Sequence, residues 1–244
     1  MMKKAMIELH GVRKDFVVSD RRLPILHIPQ WNVEAGGRLA LLGPSGSGKS
    51  TVLHLLSGIL RADHGELRVA DTPLHELNEA ERDRFRLRHV GYIMQDFHLI
   101  GSLTAAENVE LMLPQVLRRD KRKLLREWFG RVGLADRMDH LPGQLSRGQQ
   151  QRTAIVRALI GAPPLVLADE PTGSLDFESA ELVMRLLLEL CADQGSTLMA
   201  VTHDLHLAQL FPERIGIGEM NTVLAAHSSA RQENLLQRKE ALEA

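Results

Sequence analysis

Short apolar runs broken by glycine and proline fill residues 5–42. Ile7, Leu9 and Val12 lead to Phe16-Val17-Val18, then to Ile25, Ile28 and Val33, with breaks at Pro24, Pro29 and Gly36-Gly37. This texture predicts strands. After the apolar run Arg38 to Leu42, a helix is predicted over 49–58. Further strands are predicted over Glu66–Val69 and Val90–Met94, with a charged helix, Glu79–Arg88, between them. From about Asp96 to Gly143 the pattern changes. Apolar residues recur at helical spacing in Ala105–Leu113 and Lys121–Val132, which reads as a separate helical subdomain. A helix ending at Ile160 follows, then the strand Leu165–Ala168, the helix Glu178–Leu190 and the strand Thr197–Val201. A short helix and Arg214–Ile217 close the series. Strand–helix alternation on both sides of the helical insert argues for an α/β fold with a mostly parallel sheet. The polar stretch Ser228 to Ala244 is helix-prone. Its Leu235, Leu236 and Leu242 suit either a frayed terminal helix or a partner-binding one.

Composition narrows the picture. The chain has 244 residues and a formal net charge of −1, so no overall basic field attracts nucleic acid. The single cysteine, Cys191, excludes an internal disulfide framework and reads as a packing residue. The beginning of the chain lacks the long apolar stretch of a secretory signal, and no window approaches the length of a membrane span. A cytoplasmic protein is expected, with any membrane association made through a partner.

The stretch Gly43-Pro44-Ser45-Gly46-Ser47-Gly48-Lys49-Ser50-Thr51 fits the pattern G-x-x-x-x-G-K-S/T, between a predicted strand and a predicted helix. Glycines let successive backbone N–H groups turn toward one anion, and the following helix points its positive end at the same place. Lys49 adds a charge for the terminal phosphates, Ser50 a hydroxyl for Mg²⁺, and Thr51 a further phosphate contact. A second acidic motif, LVLADE, ends an apolar strand in Asp169 and Glu170. At the carboxyl edge of a parallel sheet, Asp169 is expected to hold Mg²⁺. Glu170, one residue on, is expected to polarise the attacking water.

LSRGQQQR, residues 145–152, resembles the signature motif of the ATP-binding cassette (ABC) family. Taken with GPSGSGKST, Gln95, LADEP, SLD and His203, the resemblance spans nearly the whole chain in the family's order. It implies a P-loop ABC-type nucleotide-binding domain with a RecA-like core, an antiparallel β subdomain and an inserted α-helical subdomain. The domain would cover residues 1–227, with the core in 1–94 and 148–227, the helical part in about 95–147, and a polar tail in 228–244.

The resemblance also implies roles. ATP with Mg²⁺ is the expected ligand, and two copies bind it head to tail, Ser146, Gly148 and Gln149 of one meeting the γ-phosphate held by the other. Gln95 resembles the glutamine that senses Mg²⁺, Asp176 the residue linking the two sites, and His203 the histidine contacting γ-phosphate. Phe16 lies where the family stacks an aromatic on adenine, although a core residue of a strand also fits. Asp176 also suits a helix N-cap. Arg147 departs from the family's usual glycine; it is either solvated or reaches a phosphate or carboxylate across the dimer.

His203 and His206 are expected three residues apart on one helix, without the further ligands that zinc needs. A groove beside Gln95 would receive a helix of a permease in a separate chain, at the cytoplasmic face of the inner membrane. Phe97, Leu99 and Ile100 are the expected docking patch. VGYIMQDFHLIGSLTAAENV and LADEPTGSLD resemble the branch serving lipoprotein release and macrolide export. A regulatory or scaffold cassette, as in cell division or iron–sulfur assembly, is the alternative.

Overall fold

The computed structural model describes residues 4–113 and 121–224. The tail with Leu235, Leu236 and Leu242 lies outside these residues. Four strands form an antiparallel sheet: β1 (Ala5–Val18), β2 (Arg21–Glu34), β4 (His64–Val69) and β5 (Thr72–Pro73), in the order β2-β1-β4-β5. Five form a parallel sheet: β3 (Arg38–Leu42), β6 (Val90–Ile93), β7 (Leu165–Asp169), β8 (Thr197–Thr202) and β9 (Glu213–Gly216), in the order β6-β7-β8-β3-β9. Between them run α1 (Lys49–Leu56), α2 (Glu79–His89), α3 (Ala105–Glu110), α4 (Lys121–Arg131), α5 (Arg147–Leu159), α6 (Phe177–Gln194), α7 (Leu205–Ala208) and α8 (Ile217–Met220).

The parallel strands bury both faces, and their alternation divides the interior in two. Leu39, Leu41, Leu165, Leu167, Met199 and Val201 pack with α1 and the inner face of the antiparallel sheet. Ala40, Val166, Ala168, Leu198 and Ala200 pack with α5, α6 and the helical segment around Val109 and Phe129. A period of two thus assigns each strand residue to one layer. Asp169 continues the β7 series of Leu165 and Leu167, which places it on the side of α1.

Several expected boundaries change. Pro24 and Pro29 do not break β2; Pro24 pairs with Asp15 inside the ladder. β2 is an edge strand, so a missing N–H on its outer side costs no ladder bond. α3 stops at Glu110, three residues early, and α5 ends at Leu159, one residue before the expected Ile160. Ile217 opens α8 and is not the end of a strand. α3, α5 and α6 each begin at a side-chain cap. Thr104 and Glu107, and Ser146 and Gln149, form reciprocal capping boxes, while Asp176 accepts the Ser179 N–H at 2.9 Å. Cys191 is buried, and burial pushes its thiol up to about 12, as suits a packing residue.

Candidate nucleotide site

The loop between β3 and α1 is shaped by glycines that no other residue replaces easily. Gly48 caps α1 with a left-handed backbone, φ 92°, and a Cβ there would lie 3.0 Å from Leu26 Cδ2. A Cβ on Gly43 would lie 2.4 Å from Ile217 Cγ2. Lys49 is only 6% exposed, and its ammonium donates to the Gly43 and Pro44 carbonyls, both at 2.8 Å. It is therefore held folded back over its own loop. The Ser47 hydroxyl is buried there with no partner among the described residues. An uncommitted hydroxyl, a buried cation and the open N-terminus of α1 fit a polyphosphate.

A cleft of about 360 Å³ opens over this loop. Phe16, Ile25, Ser45, Gly46, Gly48, Lys49, Ser50, Thr51, Gln95, Asp169 and Glu170 line it. The Ser50 hydroxyl lies close enough to the Asp169 carboxylate to stabilise its charged form. Burial pushes the Asp169 carboxyl upward, while Ser50, His54 and Lys49 pull it down and Glu170 adds repulsion. Two hard oxygen donors side by side, one an under-compensated carboxylate, suit Mg²⁺, which keeps several waters and takes its remaining ligands from phosphate.

Glu170 follows Asp169 with a left-handed backbone, φ 44°, rare for a residue with a side chain. Its N–H donates to the Val201 carbonyl at 3.1 Å, and its carboxylate meets His203 Nδ1 at 3.2 Å. The turn out of β7 thus swings Glu170 between the cleft and a neighbouring cavity of about 270 Å³. That cavity is also lined by Thr172, Gly173, Thr202, His203 and Asp204. His203 is not on a helix with His206. It lies ahead of α7, whose N-cap is Asp204, and His206 Nε2 meets Glu181 at 2.9 Å. The two histidines serve different carboxylates. No group of three or more His, Cys, Asp or Glu suited to a metal ion occurs among the described residues.

The signature residues lie elsewhere. Ser146, Gly148 and Gln149 are at the start of α5 and do not line the cleft, and neither does Asp176. The Ser146 hydroxyl accepts the Gln149 N–H at 3.3 Å and keeps its own proton to donate. A Cβ on Gly148 would meet nothing within 4 Å, so this turn is open to an incoming group. Arg147 is exposed beside it.

Residues with no sequence motif support the expected ones. Lys14 lies 5.7 Å from the Phe16 ring centroid and is held by Asp63 at 2.9 Å; Asp63 also accepts the Asp15 N–H at 2.8 Å. Asn108, fully buried, ties down the segment after Gln95. It accepts the Ile100 N–H at 2.7 Å and donates to the carbonyls of Ile100, Leu103 and Thr104. Arg157 donates to the carbonyls of His98 and Phe97 at 2.6 and 2.7 Å, pinning the same segment to α5. Phe97 and Leu99 are half-buried and Ile100 is exposed. The apolar concavity lies beside them, about 250 Å³ between Ile59, Leu87, Val90, Tyr92, Met94 and Met112.

A family model described as ABC transporter matches residues 26–173. An uncharacterized ABC transporter ATP-binding protein, YbbA of Escherichia coli K12, is 42% identical over 85% of this chain and 92% of its own. The lipoprotein-releasing system ATP-binding protein LolD of Syntrophotalea carbinolica is 42% identical over 84% and 91%. The macrolide export ATP-binding/permease protein MacB of Rhodopirellula baltica is 42% identical over 83% of this chain, which spans 30% of that protein. Among solved structures, the ATP-binding cassette MJ0796, as a dimer in a post-hydrolysis state bound to ADP and Pi, matches with a TM-score of 0.78. It is 34% identical over 86% of this chain and 94% of its own. The fold, the ordered motifs and these matches together show that the chain belongs to the ABC transporter family, as an ATP-binding subunit and ATPase.

Proposed function

We propose that this subunit binds ATP with Mg²⁺ in the cleft over the Gly43–Thr51 loop, closes on a second copy, and uses hydrolysis to drive a permease in a separate chain. The reading is carried by one arrangement: Lys49, Ser50, Asp169 and Glu170 converge on a single cleft, while Ser146 and Gly148 are not among the residues that line it. A phosphate site split in this manner is completed by a second molecule, whose signature turn caps the first molecule's nucleotide.

In this reading the loop N–H groups and Lys49 grip the phosphates, and Phe16 stacks on adenine beside Lys14. Ser50 and Asp169 hold Mg²⁺, with Gln95 close by. When bound, the ion neutralises charge on the phosphate oxygens. Glu170 accepts a proton from the attacking water. His203, whose Nδ1 lies 3.2 Å from the Glu170 carboxylate, orients that carboxylate and faces the γ-phosphate. Asp176, at the head of α6, faces the partner copy. The cassette comprises residues 1–227, with 95–147 as its helical insert.

The apolar groove of Ile59, Leu87, Met94 and Met112 beside the Gln95 segment suits a short permease helix. LolD and MacB are named for lipoprotein release and macrolide export, and the kinship favours work of that kind at the inner membrane. No helix among the described residues is long and apolar enough to cross a membrane, so the span would come from the permease.

The test is Glu170→Gln, which keeps the shape and hydrogen bonding of the side chain but cannot take a proton. ATP binding is expected to persist, hydrolysis to fall by at least about a hundredfold, and an ATP-dependent dimer to accumulate in light scattering. Near-normal turnover by this variant removes Glu170 as base. ATP-loaded protein that stays monomeric refutes the two-copy site.

A further inference from the structure

Tyr92 is the only tyrosine in the chain. It sits on β6 opposite Leu167 of β7, two residues before Asp169, and packs in the same layer as Leu167 and α1. Its hydroxyl is buried and has no partner among the protein's described atoms. The ring faces His54 of α1, with centroids 6.1 Å apart and planes inclined by 26°. His54 lies one helical turn after Ser50, so both project from the same side of α1. Ser50 and His54 both lie near enough to the Asp169 carboxylate to favour its charged form. Tyr92, His54, Ser50 and Asp169 therefore form one contiguous group. The rest of the Tyr92 ring lines the apolar groove beside Met94 and Arg157.

We propose that Tyr92 is a positioning residue for the divalent cation: its hydroxyl steadies the Asp169 carboxylate through a bridging water when Mg²⁺ and nucleotide are bound. A buried hydroxyl left without a partner is costly, and native proteins rarely keep one without a use. The phenol senses Asp169: burial raises its pKa first, and the carboxylate raises it further. The hydroxyl makes no direct hydrogen bond to Asp169, so a bridging water is the link proposed between them. Because one ring serves both the groove and Asp169, whatever fills the groove bears on the group that steadies the cation. The inference rests on Asp169 and Ser50 being the cation ligands.

Two measurements test it. In Tyr92→Phe, only the hydroxyl is removed, so folding and metal-free nucleotide affinity are expected to match the parent. Calorimetric titration of Mg²⁺ into protein loaded with a non-hydrolysable ATP analogue is expected to show about 3- to 10-fold weaker Mg²⁺ binding. Unchanged Mg²⁺ affinity overturns the proposal. Asp169→Asn is the control. A loss of Mg²⁺ affinity in Asp169→Asn but not in Tyr92→Phe refutes the role of Tyr92 alone; no loss in either also refutes the ligand assignment. The second measurement needs no variant. Protein with ring-labelled tyrosine gives a single Cζ resonance. That signal is expected to move when Mg²⁺ is added to the nucleotide-loaded chain, beyond any change caused by nucleotide alone. A signal indifferent to Mg²⁺ overturns the proposal.

Discussion

Asn108→Ala tests how the segment after Gln95 is held in place. Asn108 is 0% exposed, and its amide makes four hydrogen bonds to the backbone of residues 100–104. Two of its partners have a second bond and survive the truncation. The Ile100 carbonyl also accepts from the Leu103 N–H at 3.0 Å, and the Thr104 carbonyl from the Asn108 N–H at 2.9 Å. The Ile100 N–H and the Leu103 carbonyl lose their only partner among the described residues. Two fully buried groups left unpaired would cost about 2–6 kcal/mol; because Ile100 is exposed and Leu103 half-buried, the lower part of that range, about 2–4 kcal/mol, is expected. For a chain of this length that corresponds to a fall in Tm of roughly 5–15 °C. Urea titration followed by tryptophan fluorescence reads the change. The loosened segment carries Phe97 and His98, so Gln95 should also be less well placed and Mg²⁺-dependent turnover reduced. A loss below about 0.5 kcal/mol would show that residues 100–104 keep their conformation without Asn108, and the accounting of partners would be wrong.

Three other outcomes are expected. Lys49→Ala removes a buried cation and should weaken ATP binding by at least about 30-fold, from charge-assisted contacts worth about 1.5–3 kcal/mol each; equilibrium dialysis with labelled nucleotide checks it. Gly91→Ala would put a Cβ 2.4 Å from the Ala158 carbonyl oxygen, forcing β6 away from α5. Overpacking of this kind costs about 1–3 kcal/mol, and thermal melting should show it. Asp63 is pushed upward by burial, but the Asp15 N–H and Lys14 outweigh that and hold its carboxyl below the ordinary 3.8. Its contribution to stability is thus complete above about pH 3.8 and disappears as pH falls through the lower, folded value. Asp63→Asn should flatten that acid limb and, by freeing Lys14 and Phe16, weaken ATP binding a few-fold.

The sequence by itself determined whatever depends on neighbours along the chain. Gly43 to Thr51 reads as a phosphate loop because its glycines and lysine act on one turn of backbone. LVLADE places its acids at a strand end because an apolar run of that length has only one carboxyl end. The capping role of Asp176 is likewise local, since it reaches an N–H three residues away.

The tertiary structure decided what depends on residues far apart. Pro24 and Pro29 were legible as breaks, yet β2 runs through them because the sheet leaves it at an edge. His203 and His206 look paired in sequence, but the bend at Asp204 sends one to Glu170 and the other to Glu181. Nothing in LADE announces that Glu170 turns left-handed; its N–H bond to Val201, on another strand, imposes the turn. Nor does any motif mark Tyr92 or Asp63, whose neighbours His54, Lys14 and Asp15 come close only through packing of separate elements. Local sequence sets the backbone dihedrals and the burial pattern. The partner of a buried polar group is fixed only when separate layers meet.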